Sequence, residues 1–127
     1  PSLTALYLHD NVQLSDIIAL SYLGILAYLE LHSNERHLSN ISALSYLNNL
    51  TYLTLSSHAK HSMITALSNL NNLAALYLDH NPHMSHITAL TKLTNLTALY
   101  LPHIIHLSDI SALAYLANLA VLELQRN

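Results

Sequence analysis

The chain has 127 residues, 52% of them hydrophobic and only 9% charged, and carries a formal net charge of −3 with neutral histidine. That length fits one domain with ample material for a core, while the scattered basic residues Arg36, Lys60, Lys92 and Arg126 exclude a general nucleic-acid binder. Cysteine is absent, which excludes disulfides and thiolate metal sites, and no apolar run approaches the roughly 18 residues of a membrane span.

From the N-terminus, a segment of the form L-x-x-L-x-L begins at Leu3 and returns at Leu26, Leu50, Leu73, Leu96 and Leu119, at intervals of 23, 24, 23, 23 and 23 residues. Its last two leucines alternate with other residues, the period of a strand with one face inward. Six short strands follow from this. After each of the first five comes a corner, then an isoleucine, at Ile17, Ile41, Ile64, Ile87 and Ile110, then two leucines three apart, such as Leu20 with Leu23 and Leu113 with Leu116. A three-residue period suits a 3₁₀-like or short helical return. Residues 1–127 therefore read as one solenoid domain of five full repeats of 23–24 residues and a truncated sixth. One such unit cannot bury its own leucine face, but stacked units bury each other's.

Asn11, Asn34, Asn81 and Asn127 each fall three residues after the last strand leucine, where a buried amide can satisfy backbone groups at the corner. His58 and Ile104 replace that asparagine in two repeats, and the Ile104 corner is expected to be rearranged.

The wording of "LTNLTALYL" (93 to 101), "LSDISAL" (107 to 113) and "LNNLTYLTL" (47 to 55) resembles the internalin-type leucine-rich repeats of bacteria across nearly the whole chain. The resemblance implies an α/β-type leucine-rich-repeat solenoid, a right-handed horseshoe of strands and 3₁₀ returns with a parallel concave sheet of about six short strands. It also implies an extracellular or cell-surface setting and a concave face that grips a protein partner through exposed aromatics. The chain departs from the family in its longer corners, in their histidine content and in the lack of a capping segment at either end. No signal peptide is recognisable in "PSLTALYLHD".

Scaffold leucines carry no functional information, so the alternating strand residues must. Tyr7, Glu30, Thr54, Tyr77, Tyr100 and Glu123 lie between the second and third strand leucines; Ala5, Tyr28, Tyr52, Ala75, Ala98 and Val121 lie just before the second. By position, Tyr7, Tyr28, Tyr52, Tyr77 and Tyr100, flanked by Glu30 and Glu123, are the candidate partner-binding residues. The competing reading is that tyrosine is a good strand residue that stacks on its neighbour across rungs. Tyr22, Tyr46 and Tyr115 occupy the returns and read as structural.

All ten histidines fall in the corners, between a strand's last leucine and the next isoleucine. With rungs about 4.8 Å apart, His80 faces His103, His83 faces His106, and His86 extends the patch toward Asp109. These five are candidate ligands for zinc, copper or nickel, with His58, His61 and His37 secondary; His9 and His32 pair separately on the first two rungs. The same residues also fit a pH switch, since histidine titrates near pH 6.5 and full protonation would carry the charge toward about +7, or simple hydrogen-bonding turn residues. No cofactor is required by the pattern.

His9 beside Asp10 and His86 near Asp109 are the nearest approach to acid/base pairs, both on solvated corners, so catalysis is not expected. The sequence thus reads as a non-catalytic binding, adhesion or assembly module, with a metal-binding or pH-responsive structural repeat protein, natural or designed, as the alternative. The terminal rungs carry no cap, so either the chain is part of something longer or its ends stack between copies into an end-to-end oligomer or fibre.

Overall fold

The structure, a computed structural model, describes residues 2–9, 17–32, 42–56, 65–79, 87–102 and 110–125. It contains six strands, β1 (Ala5–Leu8), β2 (Tyr28–Leu31), β3 (Tyr52–Ser56), β4 (Ala75–Asp79), β5 (Ala98–Pro102) and β6 (Val121–Gln125). They form one parallel sheet in the order β1-β2-β3-β4-β5-β6. Parallel neighbours need a crossover between them. Five 3₁₀ turns supply it: η1 (Ile18–Tyr22), η2 (Ser42–Tyr46), η3 (Thr65–Asn69), η4 (Thr88–Lys92) and η5 (Ser111–Tyr115).

The register follows the repeat spacing. Leu6 pairs with Leu29, Leu29 with Leu53, Leu53 with Leu76, Leu76 with Leu99 and Leu99 with Leu122, so each strand leucine meets its own equivalent. The three-residue leucine period finds its cause in the backbone. Leu90 N–H donates to Ile87 O, Leu93 to Leu90 and Leu96 to Leu93, three successive i→i−3 bonds that turn the chain with every third side chain inward. Four of the turns gain a further bond when Ser21, Ser45, Ser68 or Thr91 donates its hydroxyl to the carbonyl three residues back.

A second ladder joins the rungs where return meets strand. The side-chain amides of Asn49, Asn72, Asn95 and Asn118 donate to the carbonyls of Gly24, Asn48, Asn71 and Thr94 on the preceding rung, at 2.8–2.9 Å. Each supplies a partner for a carbonyl that the strand ladder does not use.

Leucine burial is graded along the solenoid. Leu53, Leu76 and Leu99, in the inner rungs, are fully buried, each between a leucine above and one below. At the outer rungs Leu3, Leu122 and Leu124 remain about two-fifths exposed. The reason is physical: burial in a stack comes from nearest neighbours, and an outer rung has one. Ile110, on the last return, is exposed for the same reason while Ile87 is buried.

Candidate functional site

Because side chains alternate along a strand, the residues between the core leucines stand together on the open face of the sheet. Register then sets who meets whom. Tyr7 pairs with Glu30, Glu30 with Thr54, Thr54 with Tyr77, Tyr77 with Tyr100 and Tyr100 with Glu123 in one row; Tyr28 pairs with Tyr52 in the row beside it.

The aromatic residues singled out from the sequence do come together. Tyr28 and Tyr52 stack with centroids 4.2 Å apart and planes within 2°, Tyr7 leans on Tyr28 at 5.1 Å, and Tyr77 lies 5.7 Å from Tyr100. Stacking of this kind holds the rings in place. Tyr7 is exposed, and the other four are partly buried. Tyr22, Tyr46 and Tyr115, read as structural, instead stand well out from their turns, Tyr22 at 79% exposure, because the 3₁₀ period places them away from the buried leucine row.

At the N-terminal end of the open face the strand "YLELH" (28–32) puts Tyr28, Glu30 and His32 on one side by simple alternation. Tyr28 donates its hydroxyl to Glu30 Oε1 at 2.5 Å. His9, one rung earlier, donates Nε2–H to Glu30 Oε2 at 2.7 Å, and His32 Nε2 lies 3.7 Å from the same oxygen. The two imidazoles meet edge to face with centroids 4.5 Å apart. His32 is fixed at its backbone, where its N–H donates to Leu8 O.

These contacts set the charge of the carboxyl. The Tyr28 hydroxyl, and after it the His9 ring, hold Glu30 below the usual carboxylate range against the opposing push of burial. Tyr28 responds in the other direction, its phenol raised by the bond to Glu30, then by burial and by Tyr52. An ionised carboxylate, 16% exposed, thus sits under two imidazoles and against a wall of tyrosines. Potential ligand atoms of His9, Glu30 and His32 all lie within 4.8 Å of one another.

Beside Glu30 in the row is Thr54, 3% exposed, whose hydroxyl has no hydrogen-bond partner among the described residues. At the far end Glu123 is exposed.

The sequence places Glu30 in the aromatic row and pairs His9 with His32 as two separate features. The signal that unites them is the alternation Tyr28, Glu30, His32 combined with the 23-residue step from His9 to His32. The candidate metal ligands His80, His83, His86, His103 and His106, the secondary His58, His61 and His37, and the corner residues Asn11, Asn34, Asn81, Asn127 and Ile104 lie outside the described residues, as do Asp10 and Asp109.

Known family profiles and curated protein sequences return no match. Solved structures do. Internalin C2 of Listeria monocytogenes superposes with a TM-score of 0.76 at 33% identity, over 95% of this chain and 51% of its own length. A second Listeria monocytogenes internalin, InlF, matches with a TM-score of 0.67 at 29% identity, over 96% of this chain and 41% of its own. A leucine-rich-repeat protein of Leptospira interrogans shares the fold at a TM-score of 0.63 and 20% identity, over 97% of this chain and 37% of its own. The chain therefore spans about half of these structures, or less.

Proposed function

We propose that this chain, which has the internalin-type leucine-rich-repeat fold of bacteria, is a non-catalytic protein-binding module at the cell surface or outside the cell. Its binding surface is the open face of the sheet, through Tyr7, Tyr28, Tyr52, Tyr77 and Tyr100 with Glu30 and Glu123 beside them. The observation that carries this reading is the packing of these rings on one face of the sheet in two groups, Tyr7 with Tyr28 and Tyr52 and, further along, Tyr77 with Tyr100, at 4.2–5.7 Å. Tyrosine suits such a face because it offers a large apolar area at low entropic cost together with one hydroxyl. Among the described residues, no helix is long and apolar enough to cross a membrane.

The test is a screen of the purified chain against an array of purified cell-surface domains, repeated with Tyr77→Ala and Tyr100→Ala. Loss of more than about 1 kcal/mol of binding energy per tyrosine is expected. A partner held equally well by the double variant, and released when Tyr46 and Tyr115 become alanine, would move the site to the returns and overturn the reading.

A further inference from the structure

Within the open face, Glu30 also belongs to a group with His9 and His32 whose metal-ligating chemistry is separate from partner contact. We propose that these three side chains form a zinc site, with two imidazole nitrogens and one carboxylate oxygen as protein ligands and a fourth position open to solvent. This does not rest on the partner-binding reading.

The donor set is the first support. Neutral imidazole and carboxylate are ordinary zinc ligands, and three protein ligands with one open position is a recurrent arrangement for this ion. Geometry is the second. Tetrahedral zinc with bonds of about 2.0–2.1 Å needs donor atoms about 3.3 Å from one another. The distances from Glu30 Oε2 to His9 Nε2 and His32 Nε2, 2.7 and 3.7 Å, bracket that value, and small side-chain rotations bring both to it. The ion would take the place of the proton that His9 now shares with Glu30, and that proton would leave to solvent.

The surroundings are the third support. A metal-binding carboxylate is characteristically held by a further hydrogen bond. Tyr28 provides this one by donating to Glu30 Oε1 and leaving Oε2 to face the imidazoles. Tyr28 is itself pinned by its stack on Tyr52. The backbone is fixed as well: β1 and β2 are paired in register from Ala5 to Leu8, and the N–H of His32 is bonded to Leu8 O. The site therefore rests on two neighbouring strands rather than on a loop, which is the better platform for a fixed geometry.

The eight other histidines make bulk zinc uptake uninformative, so the readout must be specific to residue. The full-length chain, confirmed folded by circular dichroism, is titrated with zinc chloride at near-neutral pH while the imidazole NMR signals of His9 and His32, assigned with His9→Asn and His32→Asn, are followed. Both signals are expected to shift along one common binding curve. In Glu30→Gln that curve moves to at least about 10-fold weaker affinity, and in Tyr28→Phe to about 10-fold weaker. If His9 and His32 stay unmoved up to saturation of the chain, or follow the same curve in Glu30→Gln as in the parent, the proposal is overturned. Should Glu30→Gln fail to fold, the histidine variants decide: a remaining imidazole that keeps the parent's curve in His9→Asn or His32→Asn overturns the proposal.

Discussion

Glu30 and Glu123 occupy the same place in the repeat, each between the second and third strand leucines in an L-E-L segment, on the second and sixth rungs. Glu30 has a phenol two residues before it, a histidine two after it and another histidine on the rung behind, and it is mostly covered and held ionised. Glu123 has Val121 and Gln125 in those places, with Tyr100 as its cross-strand neighbour, and it is exposed. The leucine framework delivers an acid to the same row in both cases. What the acid becomes depends on three variable residues, two on its own strand and one on the strand before, and on the flanking rung that β3 supplies to Glu30.

The comparison breaks most severely if the shared framework is removed. Leu76→Asp places a charge in the fully buried row common to all inner rungs, and loss of the folded signal in circular dichroism is the expected outcome; a cooperative unfolding transition like the parent's would refute the stacked core.

A graft sharpens it next. Val121→Tyr, Gln125→His and Pro102→His place at the equivalent repeat positions around Glu123 the counterparts of Tyr28, His32 and His9, since Pro102 pairs with Gln125 as β5 passes β6. The triple variant is expected to bind one additional zinc ion, detected by new histidine NMR signals that shift on titration. New histidine signals that stay unmoved on titration would mean that the variable residues alone do not make the site.

Smaller changes separate the rungs. Leu76→Ala should cost about 2–5 kcal/mol, whereas Leu122→Ala, at a site 43% exposed, should cost less than about 1 kcal/mol; equal losses in urea denaturation would contradict the graded core. Thr54→Val should stabilise the chain by about 1 kcal/mol, because it replaces a buried hydroxyl that has no partner with a methyl of the same shape. A loss of stability would reveal a partner for that hydroxyl.

The smallest effect is on the acid limb. A carboxyl whose folded value lies below its unfolded one contributes stability that is full above the unfolded value, near pH 4.3, and is lost as pH falls through the folded value. With a chelator present, the parent should therefore lose more stability than Glu30→Gln below about pH 4.3. His9, His32 and Tyr28 are the groups facing that carboxyl. Parallel curves for the two proteins would show that Glu30 gains nothing from its neighbours on folding.

Much of this molecule is legible from its letters because leucine burial is periodic. The strand register, the 3₁₀ returns and the tyrosine rows all follow from counting, since backbone hydrogen bonding permits few alternatives to a 23-residue step. Glu30 was half legible. Counting puts it on the face with Tyr28 and His32, but its union with His9 depends on side-chain rotation that spacing does not encode. Thr54 was not legible at all, since it shares its place in the repeat with residues that are exposed or only partly buried and its burial comes from its surroundings. The asparagines of "LNNL" and "LTNL" read as mere repeat wording until the carbonyl each one meets was in view.

Those asparagines give the solenoid an arrow. Each amide reaches back to the rung made before it and asks nothing of the rung that follows, so a unit emerging from the ribosome can be latched as soon as its predecessor is in place. The same one-way latch makes the number of units a free variable: a tandem duplication of 23 or 24 residues that keeps the asparagine two places after the return leucine arrives with its own fastening and needs no compensating change elsewhere. Genes for such proteins can lengthen and shorten by whole units without passing through an unfastened form.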